Sequence, residues 1–511
     1  MPKSSVIDNK RIAKNTLYLY LRMFITMWIT LYIPRFLLQV LGVDDYGLYS
    51  VVGGIALMFS FINSSLIITS ERFLATTIVK NDDRKIKEIF SICINIHLIL
   101  SVILLLLCET IGLWLLNNKI VIPEGRMYAA NVVYQFSVLS CIIGVINAPF
   151  HAATVAYEKM SFFAIEGIIV TFLKLGILGI VWVAKGDSLI VYAAAYTSVS
   201  LVELILNTSY CKLKLKTLKY IRYWNKRLSL EIFHFAGLNI LKNGALVLFV
   251  QGSNIILNIF GGIVVSAAYG ICSQVYGACM AFMRNVQSAF YPQIMKAVSA
   301  EEYDNMYLLV RRAAKFSGYM LMLIIIPVLL NLDTVFSLWL GVIPEYTIQF
   351  SVLIIIVCLL ETISDPLNTT IFGTGKVVRY QISSSIIWFV SLGLVYLSLV
   401  LGFNYDIAIS IRIVAVMAII FISLYLLKSY VGFPWQILLK KEILSLIAIC
   451  TLGYLLPALF SYYTKLPQYI NLITSTILSW IVMGGCILWF GLSKPEFNYL
   501  RSTIKRIYSR K

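Results

Sequence analysis

Runs of about twenty-five apolar residues, each bounded by a short polar or charged stretch, recur along all 511 residues of the chain. The first run, Leu17 to Leu41, reaches roughly 37 Å as a helix at about 1.5 Å per residue, enough to cross a hydrocarbon core of about 30 Å. Further runs cover 46–70, 89–116, 127–150, 160–183 and 188–210, and a basic stretch follows. A second series covers 232–260, 264–291, 313–340, 346–372, 379–401 and 406–427, and a last pair covers 442–463 and 468–491. This pattern predicts an all-α integral membrane protein with fourteen transmembrane helices, grouped six, six and two.

The grouping sets expected boundaries. Residues 1–16 form an N-terminal segment, 17–210 a first lobe of helices 1–6, and 211–231 a basic linker. Residues 232–427 form a second lobe of helices 7–12, 428–491 carry helices 13 and 14, and 492–511 form a basic tail.

Composition agrees with this reading: 60% of residues are apolar and only 13% charged, whereas about a quarter are charged in an ordinary soluble protein. The net charge of +18 could suggest nucleic acid, but that needs a soluble basic face, and here the cations sit in loops between apolar runs. Counted along the expected spans, with Lys315 and Arg379 at span ends taken with the adjoining loops, 32 lysines and arginines fall on the side of the N-terminus and four on the other, with six inside spans. By the positive-inside rule both termini are cytoplasmic. The first run is too long for a signal-peptide core and no small-x-small cleavage site follows it, so helix 1 is expected to be retained. The nine cysteines show no CxxC and no Cys/His cluster, so neither a metal site nor a cofactor is expected.

The two series also echo each other. Leu41-Gly42 leading to Tyr46-Gly47-Leu48-Tyr49-Ser50 recurs as Phe260-Gly261 leading to Tyr269-Gly270-Ile271-Cys272-Ser273. Pro149 precedes Lys159, Phe163 and Gly176 by the intervals at which Pro366 precedes Lys376, Tyr380 and Gly393. Such spacing reads as a duplicated six-helix unit, with two pseudo-symmetric copies in one orientation related by an axis along the membrane normal.

Charges inside spans mark candidate chemistry, because each costs a few kcal/mol or more unless it faces protein or water. Helix 1 carries Arg22, on the stripe Tyr18, Arg22, Thr26, and Arg35 beside Pro34; each either lines a wet cavity or snorkels to an interface. Arg284 continues a polar stripe with Gln274, Gln287 and Ser288 on helix 8. Asn239, Lys242 and Asn243 cluster on helix 7, and Lys174 lies well inside helix 5. Lys174 and Lys242 either face a cavity or neutralise acids such as Glu166 and Glu203 within a lobe. Glu361 and Asp365, four residues apart on helix 10, form a candidate proton or cation site, unless Asp365 serves the backbone broken at Pro366. Arg412 reads as interfacial, as do Trp114, Trp339 and Trp480, and the basic linker suits anionic headgroups.

The six-six-two arrangement, the basic loop between halves, and the Leu-Gly-x3-Tyr-Gly-Leu-Tyr turn after an arginine-bearing first helix resemble the multidrug/oligosaccharidyl-lipid/polysaccharide (MOP) superfamily, and within it the Wzx-type polysaccharide flippases. The resemblance implies a MATE-like fold of two lobes with a cavity opening alternately to each side. It implies a bacterial inner membrane protein that moves an oligosaccharide on undecaprenyl pyrophosphate, such as an O-antigen or capsule repeat unit. Because helices 1 and 8 line the cavity in that superfamily, Arg22 and Arg284 become first candidates for the pyrophosphate, with Lys242, Lys174 and Arg35 as further cations. Tyr18, Thr26, Asn239, Asn243 and Gln287 would supply polar lining. Expected partners are the lipid-linked oligosaccharide, membrane lipids, a coupling H+ or Na+, and a polysaccharide polymerase with its chain-length regulator; nucleic acid is not expected.

Two relatives of this reading remain open. A lipid II flippase of peptidoglycan synthesis would share the cationic cavity, whereas a cation-coupled multidrug antiporter needs anionic lobes and fits two helix-1 arginines poorly. An enzyme acting on lipid-linked sugars is not expected: the longest outer loop, around 117–126, holds Glu124 as its only acid, and no P-loop or nucleophile elbow is present.

Overall fold

The computed structural model describes residues 9–58, 61–78, 82–157, 159–215, 217–464, 466–494 and 496–498; within these, the side chains of 9–25, 27, 28, 31, 61–65, 68, 76, 233–236, 238–240 and 242 lie outside the description. The described chain is helical throughout its ordered elements, with no strand. In chain order the helices are α1 (Asn9–Leu57), α2 (Phe61–Ile78), α3 (Asp83–Asn118), α4 (Met127–Ala156), α5 (Met160–Val183) and α6 (Ser188–Lys214). They continue as α7 (Lys226–Ser288), α8 (Tyr291–Ser299), α9 (Tyr303–Leu330), α10 (Leu332–Leu340) and α11 (Thr347–Gly373). The last are α12 (Val378–Val400), α13 (Tyr405–Val431), α14 (Trp435–Thr464) and α15 (Gln468–Gly491).

Twelve described stretches are long and apolar enough to cross a membrane, which makes this a multi-pass membrane protein. Two of the twelve, Tyr32–Leu57 and Asn243–Ser288, each run across the boundary between two of the fourteen expected spans. Their helices are interrupted at one residue each, Gly42 (φ 78°) and Gly262 (φ 73°). Glycine is suited to both places because a side chain strains in that left-handed region. The second interruption falls at Gly262, one residue after the Gly261 expected from the repeat. Pro366 lies within α11, two turns before its end.

The chain divides into two compact units. The first comprises Met1–Ile271 and Trp388–Tyr405. Its core gathers Leu48, Val51, Val52 and Ile55 from α1, Tyr134 and Val138 from α4, and Leu189 from α6. A π-helical turn at Cys108–Gly112 interrupts α3, and the Tyr134 hydroxyl donates to the Cys108 carbonyl there at 2.7 Å. Gly112 leaves room for that phenol, since a Cβ would lie 2.0 Å from its oxygen.

The like helical segments that follow these interruptions meet in this unit. A Cβ on Gly47 would lie 2.5 Å from the Ile263 carbonyl oxygen, and one on Gly270 would lie 2.6 Å from the Ser50 hydroxyl. Asn254 donates to the Ser50 carbonyl at 3.2 Å, and Asn258 exchanges hydrogen bonds with both backbone groups of Val121, accepting from its amide at 2.8 Å. The basic stretch after α6 docks on α3: the Ile221 amide donates to Ser91 Oγ at 2.9 Å and Asn95 donates to the Tyr223 carbonyl at 3.1 Å.

Arg126 fastens three segments of the same unit. Its guanidinium donates to Asp45 after the Gly42 turn, at 2.8 Å from Nε, and to Asp187, at 3.2 Å from Nη2. Asp187 also caps α6, accepting from the Leu189 and Ile190 amides at 3.0 and 3.2 Å. Burial pushes the Asp187 carboxyl up, but the Arg126 hydrogen bond and the cap amides outweigh it and hold the group below its ordinary value.

The second unit comprises Cys272–Ile387 and Asp406–Lys511. Tyr319, Met322 and Ile326 of α9 pack with Leu446 and Ile449 of α14 and Met483 of α15. At one end, Arg311 Nε donates to Glu442 at 2.9 Å, Arg312 to Glu496 at 3.1 Å and Lys315 to Glu496 at 2.6 Å. Trp480, expected only as an interfacial anchor, donates from its indole to the Leu323 carbonyl at 2.8 Å and so also ties α15 to α9.

Candidate functional site

A cavity of about 280 Å³ opens inside the first unit, among α1, α4, α5 and α6. Lys174 lines it from α5, and its ammonium sits 5.0 Å from the centre of the Tyr196 ring on α6. Glu203, two turns beyond Tyr196, lines the same space and accepts from Asn147 at 3.2 Å. Glu166 is 4% exposed and accepts from Asn207 at 3.4 Å. Each of the two acids is thus met by an asparagine, while Lys174 makes no ion pair among the described residues. Hydroxyls complete the wall: Ser140 and Ser200 face each other at 2.7 Å, and Thr197 and Ser137 donate to backbone carbonyls. Tyr49 closes the α1 side and packs edge-on against Tyr192.

A second cavity, also about 280 Å³, lies inside the second unit. Arg284 and Gln287 of α7 and Asp365 of α11 line it together with Ser288 and Tyr291. Arg284, Gln287 and Ser288 of the stripe read on helix 8 therefore share one wall, and Gln274 does not line it. Arg284 is exposed and makes no hydrogen bond or ion pair among the described residues. Gln287 is buried, and its amide nitrogen donates to Ser317 Oγ at 3.2 Å and to the Thr362 carbonyl at 3.3 Å. Its side-chain amide thereby joins α7 to α9 and α11.

The other sequence candidates are placed differently. Thr26 lies 3.5 Å from the Thr171 hydroxyl, joining α1 to α5. Arg35 and Asn243 are half-buried and line neither cavity, and Glu361 likewise stays outside both. Arg22, Tyr18, Asn239 and Lys242 fall on side chains outside the described residues.

Arg412 corrects its sequence reading. It is not interfacial: it is 4% exposed on α13, with its guanidinium 4.0 Å from the centre of the Tyr276 ring on α7. Distance from the span end had suggested an interface, but helical phase decides burial, and Arg412 shares the buried stripe of Ala408, Ala415 and Ile419. A flat cation over an aromatic face tolerates such a site because the ring offsets part of the lost hydration.

No protein-family model matches the sequence, and no curated protein matches it. Solved structures do share its fold. A lipid II flippase, MurJ, in an inward closed conformation aligns over 93% of this chain and 98% of its own, with a TM-score of 0.69 and 14% identity. An inward-facing multidrug resistance MATE transporter of the MOP superfamily aligns over 81% of this chain and 99% of its own, with a TM-score of 0.65 and 13% identity. A MOP superfamily transporter from Pyrococcus furiosus, described by a binding pocket of reversed polarity, aligns over 84% and 96%, with a TM-score of 0.59 and 15% identity. The expected MATE-like, all-helical membrane fold is therefore present.

Proposed function

We propose that the chain is a flippase for an anionic lipid-linked oligosaccharide, a sugar chain on undecaprenyl pyrophosphate moved across a bacterial inner membrane by alternating access for surface polysaccharide synthesis. Both termini are assigned to the cytoplasm, as the 32-to-4 cation asymmetry supports. The observation that carries the substrate reading is Arg284: an exposed guanidinium on a membrane span, lining a cavity, with none of its donors used by a described residue. A fork of this kind meets a phosphate bidentately and offsets the hydration that the phosphate loses.

Arg284→Ala should abolish surface polysaccharide while membrane abundance of the protein stays at the wild-type level, and Arg284→Lys should retain part of the activity. Full export by Arg284→Ala would overturn the assignment. Arg22→Ala, measured separately, tests the other first candidate. A second reading, transport of lipid II, draws support from the likeness to MurJ over 93% of this chain. Rescue of a strain depleted of its lipid II flippase would favour it.

A further inference from the structure

The basic linker suits anionic headgroups by its charge, and its structure adds a face, a depth and a track for an acyl chain. Between α6 and α7, the chain from Leu218 to Asn225 is neither helix nor sheet. Exposure alternates along it: Tyr220, Arg222 and Trp224 are exposed, whereas Ile221, Tyr223 and Asn225 are half-buried. That is the period of an extended backbone with one face held and the other free. The strap is pinned where the Ile221 amide and the Tyr223 carbonyl bond to Ser91 and Asn95 of α3, and Asn95 also accepts from the Tyr220 hydroxyl at 3.1 Å. The free face presents Arg222 and Trp224, and Lys226 follows, exposed, at the start of α7. Neither cation makes a hydrogen bond or ion pair among the described residues.

Ser91 and Asn95 lie three and seven residues past Glu88, after which α3 carries no acid, lysine or arginine until Glu109. Seven residues of helix rise about 10 Å, so the strap lies against the apolar part of the span, below the level that a soluble partner reaches. Asn95 also heads a stripe on α3: Ile99, Val102 and Leu106, four, seven and eleven residues on, are 48%, 57% and 59% exposed. Exposed cations at the head of an exposed apolar stripe match a lipid headgroup and its chain, and tyrosine and tryptophan favour the level where the two meet. Residues 211–230 carry seven cations and no acid; the first acid after them, Glu231, stands five residues past Lys226, and Glu88 accepts from Arg84 at 3.1 Å. The ammonium of a zwitterionic headgroup would thus meet cations without a counter-charge on the strap.

We propose that the strap and this stripe bind one anionic glycerophospholipid of the surrounding bilayer, with its phosphate on Arg222 and Lys226 and an acyl chain along Ile99, Val102 and Leu106. Arg222 meets the phosphate as a fork and Lys226 as a point charge. The site is independent of which molecule the chain transports.

The full chain in a neutral detergent is titrated with phosphatidylglycerol or phosphatidylcholine, and bound lipid is counted by native mass spectrometry. The wild-type protein should hold phosphatidylglycerol at least about tenfold more tightly than phosphatidylcholine. Arg222→Gln/Lys226→Gln should lose one phosphatidylglycerol, weakened about thirtyfold by the removal of two charges. Its unfolding temperature without added lipid should match wild type, because both side chains are exposed. Trp224→Ala, a second probe of the same face, should weaken that lipid severalfold. Lys440→Gln/Lys441→Gln removes the same charge from another exposed pair and should leave the lipid bound. Glycerol 3-phosphate, a headgroup without chains, should not displace it at equal concentration. Equal retention of the two lipids, unchanged binding in Arg222→Gln/Lys226→Gln, an equal loss in the Lys440/Lys441 control, or displacement by glycerol 3-phosphate would each overturn the site.

Discussion

Replacing Glu496 with glutamine removes one charge from the cluster that holds α15's exit against α9 and keeps its shape. Burial alone would raise the pKa of this carboxyl, yet the hydrogen bond from Lys315, at 2.6 Å, and that from the Ser493 amide, at 2.9 Å, bring it from 4.5 down to about 2. At about 1.4 kcal/mol per pH unit, that drop corresponds to at most about 3.5 kcal/mol at neutral pH. Solvent near the helix end reduces the figure to roughly 1–2 kcal/mol. Because the folded pKa lies below the unfolded one, the contribution is complete above about 4.5 and is lost as pH falls toward about 2. Thermal unfolding of the full chain in detergent, followed by tryptophan fluorescence, should place Glu496→Gln a few degrees below wild type at neutral pH. The gap should close as pH is lowered toward 2. Equal transition temperatures at neutral pH, or a gap that ignores pH, would refute the reasoning.

Two further outcomes follow from packing. Arg412→Ala leaves a cavity beside the Tyr276 ring and strips the cation from a site only 4% exposed, so it should lower stability by about 3 kcal/mol. Arg412→Lys, lacking the flat stack, should fall between, and a thermal scan showing Ala at wild-type stability would contradict the placement. Gly270→Val forces a side chain to within 2.6 Å of the Ser50 hydroxyl and should cost about 1–3 kcal/mol, read as a lowered unfolding temperature and faster trypsin cleavage in membranes.

The membrane spans were legible in the sequence because the bilayer imposes length and apolarity on every segment that crosses it. The stripe carrying Arg284 was legible for a related reason, since helical phase puts residues four apart on one wall. Contacts between distant segments left no comparable mark. Arg311 and Glu442 lie 131 residues apart, and neither has neighbours that announce the pair. Arg412 was misjudged because its depth was weighed and its phase against Ala408 and Ala415 was not. Gln287, expected at the cavity surface, lies on that wall, but its amide nitrogen is engaged by Ser317 and Thr362, which no local pattern reveals.

The meeting of the two Tyr-Gly helical segments couples their sequences. Gly47 fits against Ile263 and Gly270 fits against Ser50, so each motif lends the hollow into which atoms of the other project. Volume gained by one must be surrendered by its counterpart, and drift in either segment is admissible only in matched steps. Two like stretches would thus be kept alike at their glycines by mutual crowding and left free to differ everywhere that they do not touch.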